Sequence, residues 1–254
     1  IYSKEESRIL YRYFLEDFQE RKLVNLASEF KKVTEELKKG KPYQQILGYT
    51  EFYGNRFFVD ENVLIPRPET EELLELAISK IKNLKSKIQN LKLLDVGTGS
   101  GIIPITLKKY FPDAEISAMD ISEKALEIAQ KNSTFHKTRI NFIQSDYLNT
   151  DLTEKYDVII SNPPYIGIDE NIEIEDSVKG FEPNIALFSP TSDALIFYRK
   201  IAKDCENHLN KNGLFFLEIN QKLGKETLEL SKNFSESELV KDLSGKDRFV
   251  MGRK

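Results

Sequence analysis

From Leu91 to the C-terminus, short apolar runs alternate with stretches of helical period, and few folds accept that alternation. Strands fit Leu91–Val96, Glu115–Met119, Ile140–Gln144, Tyr156–Ser161 and Leu214–Ile219, and helices fit Ile102–Tyr110, Glu123–Lys131, Asp193–Leu209 and Lys225–Lys232. Strands separated by helices cannot pair as tight hairpins, so the pattern predicts an α/β, doubly wound and mainly parallel sheet. Leu239–Leu243 and Arg248–Met251, on either side of Ser244-Gly245-Lys246, read as an edge hairpin that brings the sheet to seven strands. No internal repeat and no low-complexity segment interrupts it.

The residues ahead of the sheet follow other periods. Leu10, Tyr13, Phe14, Leu23, Leu26, Phe30, Val33 and Leu37 are spaced as two amphipathic helices within 5–39, ended by Gly40 and Pro42. Phe52, Phe57, Val59, Val63 and Ile65, with Gly54-Asn55 among them, suggest a short β-hairpin. Pro66 and Pro68 break the chain, and Glu69-Thr70-Glu71-Glu72 opens a helix with acid in its first turn, as the helix dipole favours. The expected organisation is a small helical domain over 1–46, a hairpin linker over 47–66 and a catalytic domain over 67–254.

Composition removes several classes of function. The net charge of −4 lacks the basic footprint of a dedicated nucleic-acid binder, although an acidic total can hide a local basic face. Cys205 is alone, so no disulfide framework or thiolate zinc site is expected. His136 and His208, the two histidines, read as ordinary surface residues and leave little for a metal centre. No apolar stretch is long enough to span a membrane and no signal peptide is visible, so a cytoplasmic protein is expected. The chain begins at Ile1 rather than Met, which leaves room for a truncated N-terminus.

Asp95-Val96-Gly97-Thr98-Gly99-Ser100-Gly101 stands between the first strand of the sheet and its helix. Glycines let a backbone turn sharply and approach a ligand closely. A dinucleotide loop would carry a further glycine where Ile102 stands, and a phosphate loop would end in Gly-Lys-Ser/Thr. The spacing D-x-G-x-G-x-G matches instead the loop of enzymes that use S-adenosylmethionine (SAM), with a plain strand-to-helix turn as the bland reading. Asp120 ends the second strand, where a carboxylate can accept from both ribose hydroxyls or serve as a helix cap within Asp120-Ile121-Ser122-Glu123. Asp146-Tyr147 ends the third strand and suits an adenine, as acceptor and flat wall, though Tyr147 could equally be packing.

Asn162-Pro163-Pro164-Tyr165 follows the apolar run Tyr156–Ser161 and so lies at a strand's C-terminal end, where open α/β sheets bind ligands. An amide or ring-amino nitrogen is a poor nucleophile because its lone pair is conjugated. Two acceptors drawing on both N–H groups bias that nitrogen toward a pyramidal shape and aim the lone pair. Asn162 offers its side-chain oxygen and Pro163 its carbonyl; proline supplies no N–H and a fixed φ, which makes the turn stiff and rich in acceptors. Tyr165 can pack flat against the planar group. Methyl transfer from a sulfonium then needs alignment above all, and no general base is required before the methyl moves. A rigid Pro-Pro turn with an incidental Asn and Tyr is the structural alternative.

With both loops placed, the chain resembles the release factor glutamine methyltransferase family (PrmC/HemK). The match runs from about Lys41 to Arg253, and its most specific stretch is Val63-Leu64-Ile65-Pro66-Arg67-Pro68-Glu69-Thr70-Glu71. Further matches are the Gly97–Gly101 loop, Ser161–Tyr165, Phe181-Glu182-Pro183 with Ala186-Leu187, and Asp242-Leu243-Ser244-Gly245-Lys246-Asp247-Arg248. The related ribosomal-protein enzymes usually carry Pro-Arg-Ser-Pro in place of Pro66-Arg67-Pro68-Glu69. The resemblance implies a SAM-dependent enzyme that methylates the side-chain amide nitrogen (N5) of the Gln in the Gly-Gly-Gln motif of class I peptide chain release factors, in translation termination. It implies a SAM-methyltransferase sheet and SAM contacts from Gly97, Thr98, Gly99, Ser100, Gly101, Asp120, Tyr147 and Asn162. It also implies that Asn162, Pro163, Pro164 and Tyr165 hold the glutamine, with Asn162, Pro163 and Tyr165 as the catalytic set. The expected partner is a release factor, with no stable nucleic-acid binding, no membrane, no metal and a monomeric state.

Two departures stand out. The family's helical N-terminal domain is usually longer than the residues before Gly48, and Asn220 in Glu218-Ile219-Asn220-Gln221 replaces a common glycine. Asparagine tolerates left-handed backbone, so the turn is expected to survive. Asn-Pro-Pro-Tyr also occurs in DNA adenine-N6 and rRNA guanine methyltransferases, which makes an exocyclic amino group of nucleic acid the alternative substrate. Such an enzyme needs a base-flipping recognition region and a basic groove, and neither is evident. A dead methyltransferase fold used for binding would show a broken glycine loop or an altered Asn162, and both are intact.

Overall fold

A computed structural model describes residues 2–85, 90–166 and 180–254. A hairpin of β1 (Tyr49–Phe52) and β2 (Asn55–Phe58) precedes a seven-stranded sheet. The sheet contains β3 (Lys92–Val96), β4 (Glu115–Asp120), β5 (Asn141–Gln144), β6 (Tyr156–Ser161), β7 (Leu209–Glu218), β8 (Glu236–Lys241) and β9 (Asp247–Arg253). Their spatial order is β5-β4-β3-β6-β7-β9-β8, parallel from β5 to β7, with β9 antiparallel to both of its neighbours. The chain runs outward from β3 to β5 and then returns to β6 on the other side of β3. The carboxyl ends of β3 and β6 therefore flank the point where the winding reverses, which is where such sheets open a ligand crevice.

Burial on both faces explains the unbroken apolar runs. Every residue of β6 is buried, as a central parallel strand requires. Successive residues divide between the faces: Leu93, Val158, Ile160 and Phe216 pack with helices α4 (Pro68–Lys85) and α5 (Ile102–Tyr110). Leu94, Ile159, Phe215 and Leu217 pack with Tyr198, Ile201 and Cys205 of the helix Ile196–His208. Helix α6 (Glu123–Phe135) lies against α5, β4, β5 and the hairpin.

The N-terminal helices α1 (Lys4–Glu20) and α2 (Leu26–Lys38), with α3 (Tyr43–Leu47), bury a small core of their own around Leu10, Phe14, Phe18, Val33 and Leu47. The short α3 escapes the periodicity because Pro42 caps its start rather than stopping a helix. Arg56 of β2 joins Glu20 of α1 at 2.8 Å. No described helix is long and apolar enough to cross a membrane.

Several local expectations are corrected. The hairpin covers only 49–58, and its two-residue turn is Tyr53-Gly54 rather than Gly54-Asn55, with φ of 51° and 67°. Tyr53 tolerates that left-handed backbone because Glu71 accepts from its N–H at 2.6 Å and Glu75 accepts from its hydroxyl at 2.7 Å. Strand β7 starts at Leu209, since left-handed Asn212 (φ 65°) and Gly213 make an irregularity within a strand and not a loop before it. Asp193 does not begin the next-to-last long helix; it caps a turn through Leu195 N–H at 3.0 Å. Asn220 is not left-handed (φ −64°, ψ 120°); its side chain stands in for a glycine turn by accepting from Lys222 N–H at 3.0 Å and donating to the Tyr165 carbonyl at 3.2 Å. His136 is half-buried against Phe57, with Nε2 2.8 Å from the Arg56 carbonyl, and burial lowers its pKa.

Candidate active site

The loop after β3 is shaped by its glycines. Gly97, Gly99 and Gly101 all have positive φ (75°, 54° and 80°), a backbone that other residues adopt at a cost. The loop is fixed from both sides: the N–H groups of Gly97 and Thr98 both reach the Met119 carbonyl at 2.9 Å, and Ser161 Oγ donates to the Val96 carbonyl at 2.7 Å. A cavity of about 890 Å³ opens over it, lined by Gly97, Thr98, Gly99 and Ser100. Gly101 does not line this cavity. A Cβ there would come within 3.0 Å of Ala129 Cβ, so Gly101 brings α5 against α6.

Asp120 lies on the cavity wall with each carboxylate oxygen already engaged once, by Gly99 N–H at 2.8 Å and Ser122 N–H at 2.9 Å. Burial raises its pKa, and those backbone donors oppose the rise. The cap of α6 is Ser122, whose Oγ accepts from Ala125 N–H at 3.2 Å, and Asp120 with one of these donors on each oxygen has lone pairs to spare. Beneath the loop, Asp95 is 1% exposed and neither of its carboxylate oxygens has a hydrogen-bond partner among the described residues. Burial pushes its pKa up to about 7; the Thr98 hydroxyl beside it opposes the rise and the Asp120 charge adds to it.

Asp146 and Tyr147 also line the cavity. Asp146 caps a short 3-10 turn, accepting from Leu148 N–H at 3.2 Å and from Asn149 Nδ2 at 2.7 Å. Tyr147 is buried, and burial and the Asp204 carboxylate near its hydroxyl raise its pKa. Lys200 Nζ sits 4.9 Å from the Tyr147 ring centroid and is held by Asp204 at 2.7 Å.

Asn162 and Pro163, at the end of β6, stand where the large cavity meets a smaller one of about 300 Å³. Pro164 lines only the first, and Tyr165 only the second. Gly97 comes close enough that a Cβ on it would lie 4.0 Å from the Asn162 carbonyl, so the two loops adjoin. Asn162 Nδ2 donates to Thr70 Oγ1 at 3.1 Å, which turns Oδ1 the other way. Tyr165 is half-buried, and its pKa is pushed up to about 12 by burial and by the charge of Glu218.

Much of the enclosure comes from residues that local pattern does not single out. Leu64 and Arg67 of the stretch before α4 line both cavities, as does Ala186. Residues 184–186 and 188–191 line the large cavity, tied to the chain just after Tyr165 by Ile166 N–H to the Leu187 carbonyl (3.2 Å) and Ser189 N–H to the Ile166 carbonyl (2.9 Å). The family resemblance over Val63–Glu71, and over Phe181-Glu182-Pro183 with Ala186-Leu187, was the signal for part of this wall; periodicity held none, and residues 188–191 carried none.

These features fit the group that the loop implies. Glycine backbone, an acid with free lone pairs and a flat aromatic suit a nucleoside bearing an amino-acid tail. The fold and the cavity define a methyltransferase, and the family model "Methyltransferase small domain" matches residues 78–176. The release factor glutamine methyltransferase of Flavobacterium psychrophilum is 44% identical over 98% of this chain and 93% of its own length. That of Bacteroides thetaiotaomicron is 40% identical over 87% of this chain and 79% of its own. The chain belongs to the release factor glutamine methyltransferase family. Among solved structures, the Thermus thermophilus 16S rRNA N2 G1207 methyltransferase in complex with AdoMet and guanosine shares the fold, with a TM-score of 0.55 at 17% identity over 81% of this chain and 49% of that one.

Proposed function

We propose that this chain transfers a methyl group from S-adenosylmethionine to the side-chain amide nitrogen of the glutamine in the Gly-Gly-Gln motif of class I release factors. One observation carries the chemistry: Asn162, with its amide hydrogens turned to Thr70, stands with Pro163 at the junction of a large cavity and a small one. Membership of the family supports the protein amide over a nucleobase as the acceptor.

SAM, when bound, supplies an electrophilic methyl on its sulfonium sulfur. The Gly97–Ser100 backbone, Asp120, Tyr147 and Asn162 hold it in the large cavity, and Gly101 contributes by letting α5 approach α6. The glutamine side chain enters the smaller cavity, beside Tyr165 and Leu64. Asn162 Oδ1 and the Pro163 carbonyl accept the two amide hydrogens, which weakens conjugation and aims the nitrogen lone pair toward the large cavity. Positioning of this kind supplies most of the rate for a reaction that needs no prior deprotonation. The N-terminal helices bury a core that includes Leu47, whereas Phe52 and Phe57 of the hairpin pack into the core of the sheet, and we place release factor docking across both parts, in the cytoplasm.

The test is methyl transfer from labelled SAM to a purified release factor, with DNA and rRNA in parallel. Label on the wild-type factor and none on a Gln→Ala factor is the expected result. Equal labelling of both factors, or labelling of nucleic acid alone, rejects the assignment.

A further inference from the structure

An asparagine side chain presents an oxygen in one direction and an NH2 in the other, and a half-turn exchanges them unless its neighbours decide. Only the oxygen can receive a substrate N–H. Asn162 Nδ2 lies 3.1 Å from Thr70 Oγ1, and Thr70 Oγ1 lies 2.8 Å from Glu218 Oε2. Thr70 and Glu218 are each 1% exposed, so water does not compete for either bond. The three residues come from the end of β6, the first turn of α4 and the end of β7.

A hydroxyl carries one proton, and an ionised carboxylate can only accept. Thr70 therefore gives its proton to Glu218 and has only lone pairs left for Asn162. Asn162 must then turn its NH2 to Thr70 and its oxygen to the cavities. We propose that Thr70 and Glu218 are positioning residues that set the direction of the Asn162 amide, so that its oxygen receives the substrate amide. This rests on the assignment of a glutamine amide as the methyl acceptor.

The charge of Glu218 sets the polarity of the relay. Arg67 and Arg248 favour its ionised form; burial and Glu69 oppose it, and the hydroxyls of Tyr165 and Tyr198 are close by. Tyr198 donates to the Glu218 backbone carbonyl, not to its carboxylate, at 3.3 Å. Burial places the carboxyl pKa at about 7, with the Thr70 hydroxyl lowering it. Once protonated, Glu218 can donate to Thr70, Thr70 can donate to Asn162, and the amide can stand the wrong way round.

The full chain and an intact release factor make the test, with Thr70→Val, Thr70→Ser and Glu218→Gln beside the wild type. Thr70→Val keeps the shape and removes the relay: kcat should fall about 100-fold, the scale of lost alignment, while KM and SAM affinity stay at wild-type values and melting falls because the buried Glu218 loses its donor. Thr70→Ser keeps the hydroxyl and should restore most of kcat. In the wild type, kcat should rise with pH through about 7, and Glu218→Gln should remove that rise. Wild-type kcat in Thr70→Val, or a Thr70→Ser as slow as Thr70→Val, overturns the relay. Should Thr70→Val not fold, Glu218→Gln decides: a rise that persists in it belongs to another group such as Asp95 and overturns the role of Glu218. A wild type that leaves the release factor unmethylated rejects the substrate assignment and this inference with it, whereas an active wild type with unaffected variants rejects the inference alone.

Discussion

Arg67 and Glu182, 115 residues apart, are joined at 2.6 Å, and the second carboxylate oxygen of Glu182 accepts from Ile65 N–H at 3.0 Å. The pair clamps the wall shared by both cavities to the segment after the described end of β6. Its two members are unequal: the Glu182 side chain is 1% exposed, the Arg67 side chain 33%. Arg67→Ala leaves a carboxylate buried, at a cost of about 3 kcal/mol, whereas Glu182→Gln keeps an acceptor for Ile65 and frees Arg67 to meet water, at about 1 kcal/mol. Urea unfolding of both variants checks the order; equal losses would mean that the pair is screened like a surface bridge.

Gly101→Ala should destabilise the protein by about 2–3 kcal/mol, from a left-handed backbone and from overpacking against Ala129 and Ile105. Gly99→Ala has the same strain but nothing within 4 Å of its Cβ, so its loss should be smaller and its effect on SAM binding larger. Thermal melts with and without SAM separate the two. A Gly101→Ala protein that melts like the wild type would contradict the packing role.

Asn162→Ala should lower kcat about 100-fold by removing an acceptor needed for alignment, and should lower SAM affinity far less. Equilibrium SAM binding beside single-turnover transfer provides the comparison. A loss confined to SAM affinity would place Asn162 in the SAM cavity alone.

Asp120→Ala removes the proposed ribose acceptor and also the partner of Gly99 N–H, so SAM affinity should fall by about 10- to 100-fold, the worth of one or two hydrogen bonds to a charged group. Calorimetric titration with SAM reads this directly. An unchanged affinity would leave Asp120 as a loop brace only.

The fold was largely legible because its signal is local. Short unbroken runs, buried on both faces, mark β3 and β6, and helical spacing marks α5, whose observed ends coincide with those expected. The two candidate-site loops were easy to place, since Gly97–Gly101 and Asn162–Tyr165 are runs of consecutive residues that directly follow β3 and β6. What stayed hidden was set by contacts over long separations. Thr70 reads as one residue of an acidic helix start, and only the approach of α4 to β7 places it on Glu218. Tyr53 has no turn-forming signature; Glu71 and Glu75 impose its backbone from a different element. The left-handed conformation expected of Asn220 failed for a related reason, because its side chain bonds made that backbone unnecessary.

Asp95 gives the last prediction, and it concerns stability rather than turnover. Its folded pKa, about 7, lies above the ordinary carboxylate value of 3.8 because burial penalises the charge. Below pH 3.8 both folded and unfolded chains carry the proton, and Asp95 costs nothing. Between there and pH 7 the unfolded chain ionises while the folded one keeps its proton, so the unfolded state binds fewer protons and stability falls as pH rises. Above about 7 both are ionised and the cost stays at its full size, on the order of several kcal/mol. Asp95→Asn does not titrate, so its melting temperature should exceed that of the wild type by a margin that is small near pH 4, widens to pH 7 and is constant above. Glu218 titrates in both proteins and cancels from the difference. A margin that does not depend on pH would show that Asp95 is solvated or paired in the folded chain, and that the loop beneath the cavity does not shelter a strained acid.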